Sequence, residues 1–194
     1  MKHLYLRSCV ALLCAATLSS CGGGHGTLVL AGTVTGLLQP NLVLTNNGGS
    51  DLAVASGAVS FQFADLLVTD AAFDVEVKTQ PTQTVCTPFN NTGKASSFNT
   101  TTLVINCVTN SFAVGGSITG LGANAGLKLI NGTDTVTIND STGVFVFPVK
   151  VAFGSPYGIT VLQQPSNGKT CSVSNGAGRI TVPSDVNNVQ VSCV

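Results

Sequence analysis

Asp65, Asp70, Asp74 and Glu76 stand close together in the first half of the chain. Two facing carboxylates could act as the acid and the base or nucleophile of glycoside hydrolysis. Their placement argues otherwise. Asp74 and Glu76 alternate with Phe73, Val75 and Val77, which puts them on the outward side of a half-buried strand; Asp65 and Asp70 fall in the loop before it. A solvated edge is expected there. Serine and cysteine nucleophiles usually need an imidazole base, and the only histidines are His3, near the start, and His25, in a glycine run. A zinc site needs several His, Cys or acidic ligands at workable spacings, which the sequence does not supply. Calcium needs about six to eight oxygens, whereas the turn Asn139-Asp140-Ser141 offers one carboxylate. Sugar-binding sites commonly present Trp or Tyr faces; there is no Trp, and Tyr157 is the one tyrosine beyond the amino-terminal leader. No catalytic residue, metal or cofactor is assigned, and the chain is expected not to be an enzyme.

The cysteines carry the chemistry that remains. Lys2 and Arg7 give a positive start, and Val10 to Leu18 form a short apolar core, too short for a stable membrane-spanning helix. Leu18-Ser19-Ser20-Cys21 follows, an aliphatic residue and two small ones before a cysteine. This stretch resembles the lipobox of bacterial lipoproteins. Cys14 follows Leu13 where a small residue is needed, and Cys9 precedes the apolar core. The resemblance implies diacylglycerol transfer to the Cys21 thiol and cleavage before it, so that residues 1–20 are a signal peptide. Acyl chains such as palmitate hold a protein by burial at about 0.8 kcal/mol per CH₂, so two or three make a durable membrane anchor. Gly22 rather than Asp follows the cysteine, which favours the outer membrane. Residues 21–27, with Gly22-Gly23-Gly24-His25-Gly26, read as a lipidated flexible tether.

Composition fits an exported β-protein. Charged residues make up only 8% of the chain, and the formal net charge is zero. Lys2 and Arg7 leave with the leader, so the remainder is slightly acidic, with no basic patch for nucleic acid. A surface so poor in charge must be built mainly from Thr, Ser, Asn and Gly.

The chain is one unit written twice. Gly32-Thr33-Val34-Thr35-Gly36-Leu37 recurs as Gly116-Ser117-Ile118-Thr119-Gly120-Leu121. The same offset aligns Phe61-Gln62-Phe63 with Phe145-Val146-Phe147, Phe73 with Tyr157, and Gln80-Pro81 with Gln164-Pro165. Cys86 and Cys107 then map onto Cys171 and Cys193 after short insertions. Two tandem domains are expected, residues 28–109 and 110–194. Four cysteines in an exported chain suggest two disulfides with three possible pairings. One pair per repeat makes Cys86–Cys107 and Cys171–Cys193 the simple choice, each closing a loop of about 20 residues and contributing on the order of 3 kcal/mol. That support matters in units too small to bury a large core.

Periodicity is two throughout. Phe145, Phe147, Val149 and Val151 alternate with Val146, Pro148 and Lys150, as Phe73, Val75 and Val77 do with their neighbours. Asn46-Asn47-Gly48-Gly49, Asn131-Gly132, residues 139–143 and Ser174-Asn175-Gly176 supply turns. The expectation is all-β: two small antiparallel β-sandwiches of about seven strands each, the number of an immunoglobulin-like domain. Tyr157 is expected in the core with its hydroxyl at the rim, and Phe89 and Phe98 are expected to cap the core of the first unit.

The order of these motifs resembles repeats of proteobacterial lipoproteins and surface proteins. It is also similar to immunoglobulin-like and prealbumin-like modules, the carboxypeptidase-regulatory and collagen-adhesin B-type domains among them. B-type adhesin domains often carry a Lys–Asn isopeptide; the first strands here, Thr33-Val34-Thr35 and Ser117-Ile118-Thr119, lack the Lys, so none is expected. No further domain is expected after Val194. These motifs are structural and identify no activity; the expected role is that of a membrane-anchored envelope protein that meets a protein partner as an interaction or adhesin-like module, or else a passive spacer with no ligand.

Overall fold

The computed structural model describes residues 26–139 and 143–194; the leader, Cys21, His25 and Asp140 lie outside them. Eighteen strands and no helix form among the described residues. The first repeat contains β1 (Leu28–Thr35), β2 (Leu42–Asn46), β3 (Gly49–Val54), β4 (Ser60–Leu67), β5 (Ala72–Thr79), β6 (Thr84–Phe89), β7 (Thr92–Lys94) and β8 (Leu103–Thr109). A short β9 (Ser111–Phe112) follows. The second repeat contains β10 (Val114–Thr119), β11 (Leu127–Asn131), β12 (Asp134–Ile138), β13 (Val144–Val146), β14 (Val151–Ala152), β15 (Pro156–Gln163), β16 (Cys171–Ser174), β17 (Ala177–Arg179) and β18 (Val186–Cys193).

Pairing repeats with the sequence. One sheet of the first unit has the order β4-β1-β8-β6 and the other β3-β2-β5-β7; the second unit gives β13-β10-β18-β16 and β12-β11-β15-β17. In each unit residues from both sheets share one buried cluster, Leu30, Phe63 and Ile105 with Leu42, Leu44 and Val75 in the first, and Phe147 and Val191 with Leu127 and Ile159 in the second. This is sheet-on-sheet packing. The aromatic pairs superpose in kind: Phe61–Phe63 and Phe145–Phe147 both stand edge to face with centroids 6.1 Å apart.

The repeated Gly-x-x-x-Gly-Leu motif has a packing cause. A Cβ on Gly32 would lie 2.4 Å from the Leu103 carbonyl oxygen, and one on Gly116 would lie 1.8 Å from that of Val189. The motif's first glycine therefore lets β1 and β10 approach the last strand of their units. Gly36 and Gly120 take φ of +70° and +76° against the carbonyls of Cys107 and Cys193, a conformation that costs other residues energy. Leu37 and Leu121 then turn into the core.

Hairpin chemistry follows the turn residues. Asn46 faces Gly49, and both residues between them have positive φ, Asn47 at 52° and Gly48 at 70°; that is a type I′ turn. Asn131 faces Asp134, and only Gly132 is positive, at 62°, as in type II′.

Four features differ from the sequence reading. Each sandwich contains one parallel pair, β1 with β8 and β10 with β18; no hairpin joins these strands, so none fixes their direction. Each unit has a short strand beyond the expected seven, β7 or β17, on the edge of its second sheet, and the second unit also has β14, which pairs with β9. All three residues of β7 and of β17 are exposed, so neither carries an alternation signal. The run from Phe145 to Val151 is not one strand: β13 ends at Val146, and Val149 is exposed, its amide donating to Asp134 Oδ2 at 2.9 Å. Pro148 interrupts the ladder there. Finally, β1 lies between β4 and β8, in a sheet apart from β2, which is not the A-B-E-D over C-F-G order of an immunoglobulin constant domain.

Candidate functional surface

The acidic residues do not converge. Asp65 is on β4 rather than in a loop and accepts from Ser50 Oγ. Asp70 occupies the β4–β5 turn with φ of 64°. Asp74 is half-buried on β5, where its backbone amide donates to Asn46 Oδ1 at 3.1 Å, and Glu76 points to solvent. Among the described residues no three His, Cys, Asp or Glu side chains are grouped closely enough to hold a metal ion. Tyr157 is half-buried against the second core, lying over Gly178 as Phe73 lies over Gly93.

Cys86–Cys107 and Cys171–Cys193 are bonded, each across directly opposed residues of the edge strand and the last strand. The sequence reading missed what stands beside them. Gln80 brackets Cys86: its Nε2 donates to the Cys86 carbonyl at 2.9 Å, and its Oε1 accepts from the Cys86 amide at 2.8 Å. Gln164 does the same for Cys171, at 3.0 and 2.7 Å. One side-chain amide thus imitates a neighbouring strand and closes the open edge of β6 and β16 beside the disulfide. The recurring Gln-Pro ahead of the first cysteine of each unit was the available signal.

A groove of about 450 Å³ crosses the second unit beside Tyr157, Arg179 and Asp185. Its two charged groups are spent on backbone: Arg179 donates to the Gly154 carbonyl, and Asp185 accepts from the Ala113 amide at 2.8 Å.

The two units differ on the outer face of the disulfide-bearing sheets. In the first, Val85 opposes Val108, Thr87 opposes Asn106, and Phe89 opposes Val104. Val85, Phe89 and Val108 are each more than half exposed, at 59%, 51% and 62%. No charge interrupts them. At the matching positions of the second unit Thr170 faces Val194, Ser172 opposes Ser192 and Ser174 opposes Gln190; of the three apolar positions only that of Val108 keeps a valine there, Val194, which is 88% exposed. Pro88 is tolerated within β6 because that strand is an edge. Phe89 and Phe98 do not cap the core as the sequence reading expected. Phe98 is 85% exposed, and neither belongs to the buried cluster.

No protein-family model matches the chain, and no curated protein is similar to it.

Proposed function

We propose that the chain is a non-enzymatic lipoprotein of the cell envelope, anchored through Cys21 in the outer membrane, whose tandem units serve as a protein-interaction or adhesin-like module. The anchor rests on the leader and Leu18-Ser19-Ser20-Cys21. The division into domains 28–109 and 110–194 rests on the internal repeat and on the two separate buried clusters.

The observation that carries the interaction reading is the Val85, Phe89 and Val108 face. The second unit acts as an internal control, because the same strands pair there with Thr170 and Ser174 where the first unit has Val85 and Phe89, and only Val108 has an apolar counterpart, Val194. The fold does not need the apolar residues, and leaving them in water contributes nothing to stability. An uncharged apolar patch of this kind suits a protein partner whose complementary surface is also apolar. The prealbumin-like resemblance is compatible with this reading, since a sandwich of this type is a scaffold for surfaces.

The test is photo-crosslinking on intact cells from a benzoylphenylalanine placed at position 89 or, as the matched control, at 174. A discrete adduct from position 89 that disappears with Val85→Ser and Val108→Ser, and no adduct from 174, supports the interaction module. Equal or absent crosslinking at the two positions means that the face has no dedicated partner, and the chain is then a spacer.

A further inference from the structure

The first unit has two ends, and its exposed loop aromatic lies at the one from which the anchor leaves. The described chain begins there: the Thr27 amide donates to the Leu67 carbonyl at 3.1 Å, and Leu28 pairs with Leu67. The β4–β5 turn that follows is bonded to the β7–β8 loop, Asp70 N to Ala95 O at 2.9 Å and Ala95 N to Ala71 O at 2.7 Å. The far side of the loop returns to β1, with Ala31 N donating to Thr100 O at 2.8 Å. Entry point, turn and loop therefore share one end of the sandwich. On that end stand Leu66, Val68 and Phe98, exposed by 50%, 44% and 85%. The charged groups beside them are Asp65 next to Leu66 on β4, Asp70 on the turn and Lys94 at the base of the loop.

Phe98 is held out on a braced support. Asn99 Oδ1 accepts from the Ser96 amide at 2.9 Å and from its hydroxyl at 3.1 Å, and Asn99 Nδ2 donates to the Lys94 carbonyl at 2.6 Å. Thr100, 2% exposed, donates its hydroxyl to the Ser96 carbonyl at 3.1 Å. A turn fixed this way presents an aromatic ring to solvent at little further entropic cost on docking.

We propose that this end of the first unit docks on the lipid surface, with Phe98 inserted at the headgroup boundary and Leu66 and Val68 beside it. The proposal rests on lipidation of Cys21. From Cys21 to Thr27 a fully extended chain reaches roughly 20 Å, so the anchor favours this end over the opposite one for contact with the bilayer. An apolar loop kept so close meets lipid far more often than any soluble partner, and a single net negative charge leaves only a small electrostatic barrier to approach. The outcome is a first unit that stands end-on, with its Val85 and Val108 face turned sideways from the membrane.

Because the chain has no Trp, Phe98→Trp introduces a unique fluorophore at an exposed position. Val59→Trp is its control; Val59 is 75% exposed and lies at the opposite end, where its carbonyl accepts from the Val34 amide. The full-length lipoprotein is purified from membranes and reconstituted into phosphatidylcholine–phosphatidylglycerol vesicles with and without lipids brominated near the headgroup, and vesicle flotation is measured on the same sample. The proposal expects flotation, a blue shift and loss of emission for Phe98→Trp, and neither optical change for Val59→Trp. Flotation with unquenched emission from Phe98→Trp leaves the anchor standing and overturns the docking. Equal quenching of both variants overturns it as well, since the unit then has no preferred end. A chain that neither floats nor carries diacylglycerol on Cys21 by mass removes the anchor and the docking with it.

Discussion

Replacing Gln80 by Ala removes two hydrogen bonds to the backbone of Cys86, one accepted and one donated, at 2.8 and 2.9 Å. Each such bond contributes about 0.5–1.5 kcal/mol net. The strand is an edge, so water can reach part of the vacated groups, and the loss falls at about 1–2 kcal/mol for the pair. In a unit of this size each kcal/mol moves the midpoint by about 4–8 °C, so a drop of roughly 4–16 °C is expected. Gln80→Met, which keeps the length and loses the polar atoms, should fall nearly as far; a much milder loss would assign the effect to packing. Gln164→Ala should match Gln80→Ala in size, because the bracket around Cys171 has the same geometry. Differential scanning calorimetry also tests the two-domain reading. Independent units require that Gln80→Ala lower one transition and Gln164→Ala the other. A single transition shifted equally by both would show one cooperative body, and no shift in either would refute the bracket's role.

Other outcomes follow from the same geometry. Gly36 and Gly48 share a φ of +70°, but a Cβ on Gly36 would sit 2.1 Å from the Cys107 carbonyl oxygen and one on Gly48 would meet nothing within 4 Å. Gly48→Ala should therefore cost about 1–2 kcal/mol in urea unfolding, and Gly36→Ala several times more. The disulfides separate their cysteines by 21 and 22 residues, so Cys86→Ser with Cys107→Ser, or Cys171→Ser with Cys193→Ser, should each lose about 3 kcal/mol by the same measurement. The Lys78–Asp51 ion pair is about half exposed on both sides. Asp51→Asn should shift stability by less than about 1 kcal/mol, and less still at high salt.

The class of fold was legible because strand alternation is a local signal. Phe73 and Val75 announce a buried face in five residues, and Asn47-Gly48 announces the hairpin. The cysteine pairing was legible because the chain repeats itself. What escaped was non-local or unpatterned. The parallel pairing of β1 with β8 joins residues far apart in sequence through no turn of their own. Strands β7 and β17 bury nothing, so no periodicity marks them. Phe98 was read as core because a large aromatic in a small domain usually is, whereas the Asn99 network that turns it outward depends on side-chain contacts across the loop. Gln80 and Gln164 were legible only as part of a recurring Gln-Pro pair; that each would fold back on a cysteine needed the edge position of β6 and β16.

Lipid anchoring is decided by the intact mass of the protein extracted from membranes, with fragmentation of its amino-terminal peptide. The expected result is a mature chain that begins at Cys21 and carries a diacylglyceryl group on that sulfur. A chain that begins at another residue, or an unmodified Cys21, would contradict it.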